Sequence, residues 1–160
     1  RMRLAAWVQL LALAVTEPGP WTSLTVAREW KWPRRSQLRL PDDPVAVLND
    51  LVALRDVGLT RLLPIAPQAT ETFARVRHGG DPEQAWSDAR KAWSDGYDRD
   101  SGDPSMSYLV QDMSFDDFTR LPVGPDGDRL LARHPGSSPF AQLAALLWRP
   151  LLAVEDEGRA

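Results

Sequence analysis

Apolar residues recur at the 3.6-residue spacing of an amphipathic helix in five segments of the chain. The predicted helices cover residues 1–16, 44–58, 70–78, 82–95 and 139–155. Asp43 and Asp81, each followed by a proline, are the expected N-caps of the second and fourth helices. Gly58 is the expected stop of the second helix, and Pro150 is expected to kink the last one.

The stretches between these helices have other patterns. Residues 21–30 are rich in β-branched and aromatic side chains and predict a strand, and residues 106–110 are predicted as a second strand. The two prolines within residues 62–67 restrict that extended stretch to the edge of a sheet. Irregular structure is expected in a basic connection at 33–41, an acidic loop at 97–105, and a turn or short helix at 114–118.

Residues 121–138 are rich in Gly, Pro, Asp and Arg, and this composition predicts a mobile loop. The length of 160 residues is typical of one domain that buries a sizeable core. The elements together predict a mixed α+β fold, in which about five helices surround a small sheet of two or three strands. We expect a single domain over residues 1–160.

The first helix has some features of a secretion signal. Arg1 and Arg3 precede an apolar run, but Gln9 interrupts that run, and the run is shorter than the about 20 residues that span a bilayer. We therefore expect a buried helix that packs through Trp7 and Leu11. The alternative is a secreted binding domain, which predicts that residues 1–16 are cleaved or disordered.

Composition narrows the chemistry that the chain can support. There are no cysteines, which excludes disulfides, thiolate zinc sites and cysteine nucleophiles, and the net charge is −3. The two histidines, His78 and His134, lack the spacing of metal ligands. No P-loop is present, and Asp126 to Asp128 lacks the rest of a calcium loop. No catalytic constellation and no metal site is predicted.

A basic stretch is the best candidate for a binding surface. Five basic residues and only one acidic residue occur between positions 28 and 39. The basic residues are Arg28, Lys31, Arg34, Arg35 and Arg39. Because arginine binds phosphate and the neighbouring tryptophans can stack on bases, this stretch predicts contact with single-stranded DNA or with a partner protein. In the alternative interpretation, the tryptophans lie in the core and the arginines form a solvated face or meet an acidic partner subunit.

One short pattern leaves a catalytic alternative open. Glu29, Trp30 and Lys31 form the E-x-K pattern of magnesium-dependent nucleases, at the end of a predicted strand. Such a nuclease also needs a carboxylate on a preceding strand, and the only carboxylate before Glu29 is Glu17, in a turn rich in Pro and Gly. A free-standing magnesium-dependent nuclease that uses Glu29 and Lys31 is therefore the alternative function.

Several segments, in this order along the chain, match one known family. They are residues 4–13, residues 51–58 followed by 63–68, residues 85–93, and residues 140–152 together with Glu155. The last of these is the most specific match. The chain resembles the C-terminal region of RecC, the gamma subunit of the bacterial RecBCD helicase–nuclease (exodeoxyribonuclease V). The resemblance covers nearly the whole chain.

The resemblance implies a degenerate PD-(D/E)XK nuclease-like fold without catalytic residues. It also implies a non-catalytic scaffold and DNA-handling role in repair of double-strand breaks by recombination. The implied partners are RecB-type and RecD-type subunits, the double-stranded DNA end and the separated single strands. Magnesium and ATP would be used by the partner subunits, in the cytoplasm and without a membrane. Trp148 and Leu151 are expected in the core or at a partner interface.

Overall fold

The computed structural model describes residues 2–29, 32–95, 100–110 and 113–159. Its β-strands are β1 (Thr22–Glu29), β2 (Trp32–Arg39) and β3 (Glu155–Arg159). The longer helices are α1 (Met2–Thr16), α2 (Pro44–Gly58), α3 (Pro67–His78), α4 (Pro82–Ser94) and α8 (Pro139–Val154). Shorter helices are a 3-10 turn (Asp100–Gly102), α5 (Pro104–Leu109), α6 (Phe115–Thr119) and α7 (Gly124–Leu131). The predicted α+β class is confirmed, with eight α-helices in the described residues rather than about five.

The contacts of the chain fall into two compact units, and the single domain expected over residues 1–160 stays a prediction. The first unit consists of Arg1–Val52 and Pro150–Ala160, and the second of Ala53–Arg149. Helices α2 and α8 each begin in one unit and end in the other.

The first unit contains a three-stranded antiparallel sheet in the order β1-β2-β3. Its central strand β2 replaces the irregular connection that we expect at residues 33–41, so that expectation is wrong. Pro33 lies outside the stretch that pairs with β3, where a missing backbone N–H is tolerated. Ser36 and Leu38 are buried and alternate with more exposed residues, as strand geometry requires.

Helix α1 also belongs to the first unit, and it lies beside β1. Trp7 and Leu11 are fully buried, which confirms the expectation of a buried first helix. Val8 and Val15 on the same helix are both exposed. No helix in the part of the chain that the structure describes is long and apolar enough to cross a membrane.

The core of the second unit is a cluster of aromatic rings carried by four helices. The cluster consists of Phe73 from α3, Trp86 and Trp93 from α4, Phe115 and Phe118 from α6, and Phe140 from α8. Trp93 and Phe118 stack with their ring centroids 4.3 Å apart. Contacts of this kind stabilise a fold beyond the burial of area alone. Helix α4 faces this core through Ala85, Ala89 and Trp93, which are buried.

Three predictions in the second unit differ from the structure. Residues 106–110, predicted as a strand, belong largely to α5, because Asp103 caps a helix that begins at Pro104 and accepts a hydrogen bond from the Ser105 N–H at 3.0 Å. Residues 121–138, expected to be a loop, contain α7, whose Leu130 and Leu131 are buried. The mobility of that segment stays a prediction. Helix α3 begins three residues earlier than predicted, at Pro67.

Two predicted caps are confirmed. The Asp43 carboxylate accepts a hydrogen bond from the Ala46 N–H at 2.9 Å, and the Asp81 carboxylate accepts one from the Gln84 N–H at 3.0 Å. Both carboxylates accept hydrogen bonds from backbone N–H groups that have no partner within the first turn of a helix.

Candidate functional site

The sheet separates the predicted binding residues onto two faces. Strand register places Arg28, Arg35 and Arg39 at positions on one face. Arg34 belongs to the opposite face, which also carries the buried Ser36 and Leu38. Lys31 lies outside the described residues, as does the side chain of Arg28. The basic stretch is therefore not one continuous surface.

The face that carries Arg35 and Arg39 is exposed, and we call it the outer face. Its members on β1 and β2 are Thr22, Leu24, Val26, Arg28, Pro33, Arg35, Gln37 and Arg39, and β3 adds Asp156 and Gly158. Leu24 is 62% exposed and Val26 is 57% exposed, although they lie at the middle of a strand. The outer face therefore combines an aliphatic strip with basic residues.

An acidic strand accompanies the basic strand. β3 begins Glu155-Asp156-Glu157, and these residues pair with Leu38, Gln37 and Ser36 of β2. On the outer face, Asp156 Oδ2 lies 3.8 Å from Arg35 Nη2. The chain itself thus supplies carboxylates to a stretch that the sequence alone suggests for phosphate binding.

On the opposite face, the acidic strand contributes to a cluster of charged side chains. Arg3 Nη1 donates to both Glu155 oxygens, at 2.9 and 2.8 Å, and to Glu157 Oε1 at 2.7 Å. The Ser36 hydroxyl donates to Glu155 Oε1 at 2.5 Å. We call Arg3, Ser36, Glu155 and Glu157 the Arg3 cluster, and it connects α1, β2 and β3.

The burial of the Arg3 cluster indicates a structural role. The Glu155 side chain is only 2% exposed and that of Arg3 is 20% exposed. A carboxylate so far from water is tolerated only when it is paired and hydrogen-bonded, as it is here. The cluster therefore fixes the sheet to the first helix, a role that sequence reasoning missed because its members are 119 and 152 residues apart.

A second buried carboxylate caps a helix in the other unit. Asp100 is fully buried, and its oxygens accept hydrogen bonds from the backbone N–H groups of Gln68 at 3.2 Å and Ala69 at 2.7 Å. Ala66, at the N-cap of α3, has no side-chain oxygen to do this. Asp100, although distant in sequence, therefore accepts hydrogen bonds from backbone N–H groups in the first turn of α3. Its carboxylate lies at the positive end of the helix dipole.

An exposed ion pair lies on the surface of the second unit. Arg90 donates two hydrogen bonds to the Asp116 carboxylate, at 3.2 and 2.8 Å, and its guanidinium lies 5.4 Å from the Phe115 ring centroid. These hydrogen bonds, together with the charge of Arg90, hold the pKa of Asp116 below its ordinary value. The pair joins α4 to α6.

Two further predicted residues are found in the core. Trp148 and Leu151 are both fully buried. The Trp148 indole N–H donates to Thr70 Oγ1 at 3.0 Å, and the Thr70 hydroxyl in turn donates to the Ala66 carbonyl at 2.7 Å. Of the two roles that we expect for Trp148 and Leu151, their burial favours the core.

The E-x-K pattern falls at the β1–β2 connection, because Glu29 is the last residue of β1. The Glu29 side chain, Trp30 and Lys31 lie outside the described residues, so a nuclease site there stays a prediction. Among the residues that the structure describes, no three His, Asp or Glu side chains gather in a way that could hold a metal ion.

Comparison with known proteins agrees with the resemblance seen in the sequence. The family model of the RecC C-terminal domain matches residues 1–78. "RecBCD enzyme subunit RecC" of Mycobacterium tuberculosis is 33% identical over 156 residues, which are 95% of this chain and 14% of that protein; two strains give the same values. No solved structure matches the chain.

A second mycobacterial relative matches a shorter part of the chain. "RecBCD enzyme subunit RecC" of Mycolicibacterium smegmatis is 40% identical over 85 residues, which are 51% of this chain and 8% of that protein. The chain thus spans about 14% of the length of the M. tuberculosis relatives. The matched domain and the near-complete coverage of the chain together show that it belongs to the RecC family, as a RecC C-terminal region.

Proposed function

We propose that this chain is a non-catalytic scaffold and DNA-handling segment of a RecBCD-type helicase–exonuclease. That machine would use ATP to process double-strand DNA breaks for recombinational repair. The proposal is supported by the relatives, which are RecC subunits of the RecBCD enzyme and match 95% of the chain. The partners would be RecB-type and RecD-type subunits and DNA, in the cytoplasm, with magnesium and ATP used by the partners.

One observation carries the scaffold role: buried carboxylates of the chain are used to hold the fold. The Glu155 carboxylate is occupied by Arg3 and Ser36, and the Asp100 carboxylate is occupied by backbone amides of α3. A magnesium site needs carboxylate oxygens that face the ion. In these two residues the oxygens face structural donors instead.

The acidic strand supports the scaffold part of the proposal over direct DNA contact by the basic stretch. A surface that tracks the DNA backbone gains affinity by neutralising phosphates, and carboxylates close to its arginines weaken that attraction. Asp156 lies beside Arg35 on the outer face, and Glu157 pairs with Ser36 next to Arg35 along the strand. A part of the basic stretch therefore has its charge balanced within the chain.

The test combines a binding assay with a cleavage assay on the purified full chain. We expect it to co-purify with a RecB-type or RecD-type subunit from the same organism, and to leave linear duplex DNA intact in the presence of Mg²⁺. Magnesium-dependent cleavage that is lost in Glu29→Ala and in Lys31→Ala, but kept in the control Glu17→Ala, would establish the nuclease alternative and refute the scaffold.

A further inference from the structure

The outer face of the sheet has the chemistry of a protein-binding surface. Leu24 and Val26 are two residues apart on β1, so their side chains lie about 7 Å apart on the same face. Single exposed aliphatic residues are ordinary on protein surfaces, but here two neighbours in the middle of one strand are each more than half exposed. They form a short aliphatic strip.

Basic residues flank this strip on the neighbouring strand. Val26 pairs directly with Arg35, Leu24 pairs with Gln37, and Thr22 pairs with Arg39. Arg39 is exposed, and the side chain of Arg35 is 41% exposed. An occupant of the strip must therefore place apolar groups over β1 and negative charge over the arginines of β2.

Arg35 has hydrogen-bonding capacity to spare. A guanidinium carries five N–H donors, and the Arg35 Nε is buried with no hydrogen-bond partner among the described residues. Its ion pair with Asp156 is 3.8 Å long, which is beyond hydrogen-bonding distance. Because the Arg35 side chain is 41% exposed, a carboxylate of a partner would approach its terminal nitrogens rather than the buried Nε, which makes an acidic partner complementary to this position.

Nucleic acid fits this face less well than protein does. Sites for single strands stack bases on aromatic rings, whereas the exposed middle of this face is aliphatic. Protein interfaces instead combine an apolar centre with charged residues at the rim, which is the arrangement of Leu24 and Val26 beside Arg35 and Arg39.

We propose that the outer face docks an acidic, aliphatic surface of a partner subunit of the helicase–nuclease, with Leu24 and Val26 at its centre and Arg35 and Arg39 as its charged contacts. This inference rests on the proposed function, and it assigns the partner's chemistry to a defined set of residues. The aliphatic strip supplies apolar burial, and the arginines select for a partner of negative charge.

The test measures the affinity of the full chain for purified RecB-type and RecD-type subunits, in separate titrations. Val26→Glu removes part of the strip and adds a charge that repels an acidic partner, and Arg39→Glu reverses a flanking charge. We expect each variant to weaken binding at least about tenfold. The matched control is Val45→Glu on α2, an exposed valine that lies outside this face, and it should change the affinity less than about twofold.

A conservative variant and a DNA-binding assay distinguish a docking surface for protein from one for DNA. Val26→Thr keeps β-propensity and shape, so it reports on the strip even if Val26→Glu unfolds the chain; we expect about a threefold loss. Unchanged partner affinity in Val26→Thr and Arg39→Glu would overturn the docking surface and leave the scaffold standing. Binding of an oligothymidylate that Arg39→Glu abolishes, with partner affinity unchanged, would assign the face to DNA. Failure of the unaltered chain to bind either subunit would overturn both proposals.

Discussion

Replacing Arg3 by methionine should destabilise the fold by about 3 kcal/mol, because it removes the cation that lies 2.8 Å from the buried Glu155 carboxylate. Removing one partner of a buried ion pair costs about 3–5 kcal/mol. Glu155 is 2% exposed and also accepts a hydrogen bond from the Ser36 hydroxyl, whereas Arg3 is 20% exposed and is partly screened by water. We therefore take the lower end of the range.

Two further variants test whether the stability lost in Arg3→Met comes from the buried ion pair. Arg129→Met is the matched control, because the side chains of Arg129 and Asp126 are 79% and 81% exposed, and it should cost less than about 0.5 kcal/mol. The double variant Arg3→Met with Glu155→Met removes both members of the buried pair. It should be more stable than the sum of the single changes by about 2 kcal/mol.

Urea unfolding of the full chain, followed by tryptophan fluorescence and by circular dichroism, measures these differences. Both probes are needed because the chain has two compact units, and coincident transitions are the condition for a single free energy of unfolding. The corresponding melting temperature should fall by about 6–12 °C. A loss below about 1 kcal/mol for Arg3→Met, similar to that of Arg129→Met, would show that the Arg3 cluster behaves as a surface pair.

Three other perturbations have defined outcomes. Asp100→Ala should cost about 2 kcal/mol in urea unfolding, because two amides at the start of α3 lose their buried acceptor, and Asp100→Asn should cost less. Thr70→Val should also cost about 2 kcal/mol by the same assay, because the Trp148 indole N–H is then buried without an acceptor; an unchanged stability would contradict that hydrogen bond. Asp116 has a lowered pKa in the folded chain, so its contribution to stability is present above its unfolded pKa and is lost as the pH falls through its folded pKa. Arg90→Gln should raise the pKa of Asp116 in an NMR titration, and an unchanged pKa would refute Arg90 as the cause.

The sequence predicts the features of this fold that are set by neighbouring residues. Asp43 and Asp81 sit directly before a proline and an apolar repeat, so both caps and both helix starts follow from local chemistry. Asp103 and Pro104 form the same pattern of a capping residue followed by proline at the start of α5. The apolar residues that follow it instead predict a strand at 106–110.

The features that sequence reasoning missed depend on long-range pairing. β3 reads Glu-Asp-Glu-Gly-Arg, a composition that disfavours strands, and it forms a strand by pairing with the distant β2. The same pairing converts the predicted basic connection into the central strand. Asp100 could not be identified as the cap of α3, since it lies 31 residues from the amide of Ala69.

The predicted contact surface at residues 28–39 stays a prediction, and strand register divides its residues between two faces of the sheet. Residues 28–39 contain the basic positions of the outer face. Because successive residues of a strand lie on opposite faces, Arg34 is on the other face of the sheet. Leu24 and Val26 were missed as surface residues because an apolar strand pattern does not tell which of its faces is covered. Strand register supplied that information.

The affinity of the full chain for purified RecB-type and RecD-type subunits tests the central claim most directly. The account predicts saturable binding to at least one of them, weakened at least about tenfold by Val26→Glu and unaffected by Val45→Glu. The absence of binding to both subunits would contradict it, and magnesium-dependent cleavage of linear DNA by the chain alone would in addition establish the nuclease alternative.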